Sequence, residues 1–471
     1  MKVLLIEDDS EFVTALVEIV NDEAENVQVK IARSRNSAEE YIKSEFFDLI
    51  LLDLNIPTLD DHLDQTPAHG HSVFATIRLQ LPGAPIMILT GSSGEDFIHS
   101  LLEHSEKANI WGSGPTQLVS FHRKHSLDTF PNVFRAYASQ VQALSAIELH
   151  RNGLKLSDEE DRLIRIFAKK VNAARCSIAQ IGGGLSGSRV FRLSLTNVGG
   201  RVVHDVVCKL SSGEVIKDEG DRYNQHVARL PPEATPRKLE VIEHGAGNKC
   251  GVFYGLADGF KRNAFDVASG ASDHQLPFIK NLAELLKKWT SPVEGQSNIG
   301  DIRERFLSHD KFVALRPRLE LSWIEGFEKQ RIQTKRGCAH GDLHGLNVMV
   351  SDENIPILID YGDVGEGPAS IDPITLELSL FFHPDGPLRN SEWPSVELAK
   401  TWGALDEYLV GCPCPEFIRG CRNWAIEIAA GDREIAAVAY GYLVRQLKYP
   451  EVNKDRVEAL LHGIKALYNQ T

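Results

Sequence analysis

The stretch His340-Gly341-Asp342-Leu343-His344-Gly345-Leu346-Asn347, followed after an apolar run by Asp360-Tyr361-Gly362-Asp363, limits the possible folds of this chain more than any other segment. The apolar runs Val348–Val350 and Ile357–Ile359 predict short strands that pin a loop carrying Asp342 and Asn347. In such a loop Asp342 can take the proton of an attacking hydroxyl, and Asn347 and Asp360 can hold Mg²⁺ against nucleotide phosphates. The competing structural reading is an acidic hairpin of caps and turn residues. It leaves the ordered succession of base and ligand types unexplained.

The segment upstream supplies matching parts. Cys176–Ile181 reads as a strand, Gly182-Gly183-Gly184-Leu185-Ser186-Gly187 as a glycine-rich loop, and Val190–Leu195 as a second strand. Glycines let backbone amides approach phosphate oxygens. A dinucleotide fingerprint would need a helix after the loop. The alternation in Arg189–Leu195 gives a strand instead, and so a strand–loop–strand lid. Val202–Leu210 is a further strand with Lys209 near its end. Glu219 opens a helical segment, and Glu214 is its rival as the partner of Lys209.

In this order the motifs resemble the aminoglycoside phosphotransferase and choline kinase group, relatives of protein kinases, over about residues 175–471. The resemblance implies an α+β bilobal kinase-like domain, with an N-lobe at 175–258 and a C-lobe at 259–471. It implies ATP and Mg²⁺ as cofactors and Asp342 as catalytic base. Asn347 and Asp360 would be metal ligands, and Gly182, Gly184, Gly187, Lys209 and Glu219 would surround the nucleotide. Asp372 before Pro373 reads as a helix N-cap with proline in the first turn.

The first third of the chain has a different pattern. Val3–Ile6, Val27–Ala32, Phe47–Leu52 and Ile86–Leu89 read as strands. Helical segments at Glu11–Val20 and Ser37–Lys43 alternate with them, which predicts a doubly wound α/β (flavodoxin-like) parallel sheet. Glu7, Asp8, Asp9, Asp53 and Thr90 all fall at strand carboxyl ends, where such sheets bind ligands. The segment resembles a two-component receiver domain. The resemblance implies that Asp53 is the phosphoacceptor, that Glu7 and Asp8 (with Asp9 as a substitute) hold Mg²⁺, and that Thr90 is the switch hydroxyl. It also calls for a lysine after a fifth strand. Gln117–Lys124 reads as that strand, displaced, and makes Lys124 the choice. Lys107, or no lysine at all, are the alternatives. Thr58–His69 adds an Asp- and His-bearing insertion whose irregular spacing suits a solvated loop better than a metal site. A structural, unphosphorylated receiver is the competing reading.

Val133–His150 reads as a helix closing the receiver, and Ser157-Asp158-Glu159-Glu160 as a capping box for a helix through Val171. The expected division is a receiver at 1–150, a helical connector at 151–174, and then the two lobes, with no long flexible linker. A net charge of −14 argues against broad nucleic-acid binding and against an anionic membrane surface. No apolar run approaches a membrane span, and the short one after Met1 ends in acids, so it reads as a strand and not a signal peptide. Seven scattered cysteines suit a reducing cytoplasm.

Three readings follow. The first is a signalling ATP-dependent phosphotransferase gated by a receiver that a sensor histidine kinase or a small acyl-phosphate donor phosphorylates. The second is an adaptor with an inactive, nucleotide- or partner-binding kinase-like domain. The third is an interaction protein that dimerises through the receiver. Retention of Lys209, Asp342, Asn347 and Asp360 together favours the first. The phosphate acceptor is open among a small alcohol, an amino sugar and a protein Ser/Thr.

Overall fold

A computed structural model of the protein describes residues 1–91, 107–183, 187–256, 259–315 and 321–470. The chain divides into two compact units, Met1–Lys217 with Lys238–Leu256, and Asp218–Arg237 with Ala257–Thr471.

The first unit begins with β1 (Lys2–Ile6), α1 (Ser10–Glu23), β2 (Gln28–Ala32), α2 (Arg35–Ser44), β3 (Leu49–Asp53), α3 (Pro67–Gln80), β4 (Ile86–Thr90), β5 (Val119–Arg123) and α4 (Phe130–Ser145). The strands form a parallel sheet in the order β2-β1-β3-β4-β5. Both faces are covered, so the central strands are continuous apolar runs. Leu4, Ile50, Leu52 and Ile88 pack toward α2 and α3, while Val3, Leu5, Leu51 and Leu89 pack toward α1 and α4.

The unit continues with β6 (Glu148–His150), α5 (Asp158–Lys170), β7 (Arg175–Gly183), β8 (Arg189–Thr196), β9 (Val202–Ser212), α6 (Gly213–Gln225), β10 (Arg237–Ile242) and β11 (Lys249–Leu256). A second sheet runs in the order β10-β11-β9-β8-β7-β6. The helix expected to reach His150 ends at Ser145. Glu148–His150 instead pairs in parallel with Arg175–Ser177, because those backbone groups find a ladder there that a frayed helix end lacks. Glu219 does not open a helix: α6 starts at Gly213 and the boundary between the two units falls within it. β10 was not anticipated.

Within this unit, the described parts of 1–150 and 151–174 share one core with the second sheet. Ile110, Trp111, Leu118, Val141 and Leu144 pack with Ile164 and Phe167 of α5 and with Phe191, Val206 and Phe253 of the second sheet. Phe167 and Phe253 stack at 4.1 Å. Gly83 N donates to Gly247 O, and Gly245 N donates to Gly83 O. Gly245 has φ +92°, and a Cβ there would meet Ile110 O at 2.1 Å, so only glycine fits. The ion pairs Lys2–Asp158 and Arg162–Asp48 join the same segments.

In the second unit, β12 (Arg331–Ala339) leads into the loop at 340–347, and the hairpin of β13 (Val348–Val350) and β14 (Pro356–Leu358) follows, one residue displaced from expectation. α7 (Ile371–Phe382) is buried along its whole length, and α8 (Asp432–Gln446) is buried except around Asp432, Arg433 and Arg445. No helix among the described residues is long and apolar enough to cross a membrane. All seven cysteines are free.

Candidate functional site

The chain carries two acidic sites. In the first, the parallel strands deliver Glu7 and Asp8 just past β1, Asp53 at the end of β3 and Lys124 just past β5. Lys124 Nζ lies 2.7 Å from Glu7 Oε2 and 2.9 Å from Asp53 Oδ2. The displaced strand therefore does bring its lysine to the acidic cluster. Glu7, Asp8 and Asp53 each offer an oxygen within 4.8 Å of the others, a hard donor set that fits a divalent cation such as Mg²⁺. Asp9 is spent elsewhere: its carboxylate caps α1 by accepting from Glu11 N and Phe12 N. Burial, with the charge of Asp53 added, pushes Glu7 up to about 7 against the pull of Lys124. Burial likewise raises Asp53, opposed by Lys124. Thr90 ends β4, opposite Arg123 in the ladder, and its side chain lies outside the described residues. The insertion is tied to the start of α2 and to the acidic cluster as well as to itself. Asp60 accepts from Ser34 and Ser37, Asp64 accepts from Thr58, and Gln65 Nε2 donates to Asp8 Oδ2 at 2.9 Å.

The second site lies on the loop between β12 and β13. His340 Nε2 faces Ile359 O at 3.0 Å, and Ile359 N donates to Asn347 O, which ties the loop to the strand leading to Asp360. Gly341 has φ +83°, and a Cβ there would press on Asp363 O at 2.4 Å. Asn347 Nδ2 donates to Asp342 O at 2.9 Å, which leaves the Asn347 amide oxygen as a donor for a metal. Asp360 follows with φ +63°, a conformation that aspartate tolerates and bulkier residues resist.

Asp372 is not a helix cap. Ser370 holds that position, and the Asp372 carboxylate accepts from His340 N and Gly341 N at 2.8 and 3.0 Å. The Asp-Pro signal is local, whereas this bond reaches back 32 residues, so sequence reasoning missed a residue that shapes the loop.

The Asp342 carboxylate is half-buried. Its Oδ1 accepts from Arg445 Nη1 of α8 at 3.2 Å, and His344 Nε2 lies 3.9 Å from Oδ2. Burial acts to raise Asp342, but Arg445, His344 and His340 outweigh it and hold the carboxyl below its usual range. His344 and His383 rings lie 4.5 Å apart, and burial, with His344 adding to it, drives His383 down to about 3.

The remaining sequence candidates fall on separate units. Lys209 is buried in β9 of the first, opposite Val190 and Val252. Glu219 is buried in the part of α6 that belongs to the second. Gly182 pairs with Val190 one residue before the end of β7, and Gly187 has φ +75° with open space at its Cβ position. Gly184 lies outside the described residues.

Residues 3–108 match the response regulator receiver domain, and residues 177–408 match the phosphotransferase enzyme family. Cell cycle response regulators CtrA of Brucella ovis and Brucella abortus are each 36% identical over 105 residues, 21% of this chain. The chain spans 39% of the length of these relatives. Among solved structures, a CheY-like receiver of Methanospirillum hungatei is 20% identical and covers 30% of this chain and 96% of its own, with a TM-score of 0.22. Aminoglycoside phosphotransferase APH(4)-Ia is 16% identical and covers 62% of this chain and 93% of its own, with a TM-score of 0.34.

Proposed function

We propose that this chain, a response regulator receiver joined on one polypeptide to a domain of the phosphotransferase enzyme family, is a signalling protein in which phosphorylation of Asp53 governs ATP-dependent phosphoryl transfer. A sensor histidine kinase or a small acyl phosphate supplies the phosphoryl group to Asp53. Glu7 and Asp8 hold the Mg²⁺ that transfer requires, and Lys124 neutralises the charge on the acyl phosphate with Thr90 as its hydroxyl partner. In the phosphotransferase domain Asp342 takes the acceptor's proton, Asn347 and Asp360 hold Mg²⁺, and Lys209, with Glu219, serves the α- and β-phosphates over the loop of Gly182, Gly184 and Gly187.

Regulation is supported by one observation above the others, the core that Trp111, Val141 and Leu144 share with the sheet carrying Lys209. A rearrangement of the receiver has packed side chains to act through, not a flexible tether. A second reading, an adaptor that holds nucleotide without transfer, draws support from Arg445, which pairs with the carboxylate of the base.

The test is ADP release by the full chain with Mg-ATP, with and without an acyl-phosphate donor, in wild type and Asp53→Ala. Coupling on the order of 1–3 kcal/mol changes turnover or nucleotide affinity severalfold in wild type alone. Identical behaviour of the two proteins defeats regulation. Absence of ATP affinity by calorimetry with Mg²⁺ defeats the enzyme reading, and binding without turnover selects the adaptor.

A further inference from the structure

Arg422, Arg303 and Arg445 of the second unit are each largely withdrawn from water, and they are used differently. Arg422 is spent: Nε and Nη2 donate to Glu377, and Nη1 donates to Trp402 O. Arg303 is spent in the same way, on Glu328 through Nε and Nη2 and on Leu307 O through Nη1. Arg445 gives Asp342 only Nη1. The rest of its fork meets no carboxylate among the described residues, and its side chain keeps 24% exposure beside an Asp342 that keeps 27%. It stands at the carboxyl end of α8, beside Tyr449 and one turn before the exposed Lys448.

We infer that Arg445 selects the phosphate acceptor, and that the acceptor carries an oxyanion close to the hydroxyl that receives the phosphoryl group. The inference rests on the reading of Asp342 as the base. A guanidinium offers planar paired donors that match a carboxylate or phosphate. A group bonded to the base's own carboxylate is within reach of whatever that base deprotonates. The acceptor hydroxyl meets Asp342 while its oxyanion takes the donors of Arg445 that Asp342 and Tyr449 leave. The hydroxyl oxygen bonds to the γ-phosphorus of Mg-ATP, the bridge to the β-phosphate breaks, ADP leaves with that electron pair, and the hydroxyl proton passes to Asp342. An ammonium at the same place would meet the guanidinium and be repelled. Like charges so placed reject a partner more sharply than a missing contact does.

The experiment is ADP release by the full chain with Mg-ATP and matched acceptors at two sizes: glycerol and glucose, glycerate and gluconate, 3-aminopropane-1,2-diol and glucosamine. The anionic members are expected to lead in kcat/KM by about tenfold or more. Arg445→Met should erase that lead chiefly through acceptor KM, and Arg445→Lys should restore part of it. Calorimetry with Mg-ATP on both variants checks that the fold and nucleotide site survive. A neutral or cationic acceptor that leads overturns the inference while leaving the phosphotransferase reading intact. So does an Arg445→Met protein whose kcat falls equally on every acceptor with the anionic lead preserved, since Arg445 would then serve the base or the transferred group. Mg-ATP binding with no turnover of any acceptor overturns the underlying reading and this inference together.

Discussion

Asp53 and Asp342 are the same residue type shifted in opposite directions by their neighbours. Asp53 is enclosed by apolar strand ends and two further carboxylates, so burial lifts it and Lys124 only moderates the rise. Asp342 is enclosed by Arg445, His344 and His340, which hold it down despite burial. The contrast fits two kinds of phosphoryl chemistry. A carboxylate that must itself become phosphorylated needs a metal and an ammonium beside it. One that only receives a late proton can be a weak base, because a loose transition state asks little of it.

The sharpest way to break this comparison is to remove each carboxylate and read both chemistries. Wild type treated with an acyl-phosphate donor and Mg²⁺ is expected to show a labile adduct by intact mass spectrometry, and Asp53→Asn is expected to lose it entirely. Asp342→Asn should form that adduct fully. Its phosphotransfer should drop by about 10²–10⁴-fold with Mg-ATP binding nearly intact by calorimetry. If Asp342→Asn also loses the adduct, the two sites are not independent chemistries.

A smaller effect tests whether the receiver and the second sheet stand or fall together. Trp111 is fully buried in their shared core, and Trp111→Ala should cost about 3–5 kcal/mol. Denaturation followed by near-ultraviolet dichroism and by hydrogen exchange in β1 and β8 should move as one transition. Separate shifts would mean that the core does not couple them.

The smallest effect concerns the histidines beside Asp342. The His383 ring is pushed from an ordinary 6.5 to about 3 in the fold. A depressed histidine binds fewer protons folded than unfolded, so its stabilisation is complete above pH 6.5 and is lost as pH falls toward 3. Wild type should lose about 2 kcal/mol of stability between pH 7 and pH 5 through this group. His383→Gln should flatten that part of the curve. An unchanged slope would assign the acid sensitivity to other groups.

Much of this was legible in the chain. Runs such as Leu49–Leu52 announce a strand buried on both faces, and the acids at their ends follow from strand polarity. Lys124 was legible because Val119–Arg123 still alternates as a strand after an irregular stretch. What failed was non-local. Glu148–His150 continues a helical pattern in sequence, but a partner strand 27 residues on takes it into a sheet. Asp372 carries a strong local cap signal and answers instead to His340 and Gly341. Nothing near Arg445 advertises its role, because its meaning lies in a residue 103 positions away.

The strand Glu148–His150 has a consequence for how such a protein can be divided. Receivers are often treated as cassettes, cut at a boundary and moved between outputs. Here a cut at residue 150 would bare the backbone edge of Arg175–Ser177 and strip Trp111, Val141 and Leu144 from the greasy face of Ile164 and Phe167. The orphaned half would carry a sticky strand edge and an exposed apolar patch, both of which invite aggregation. The heritable unit is therefore the receiver together with the sheet that follows it. A swap of input domains would have to carry the seam across intact.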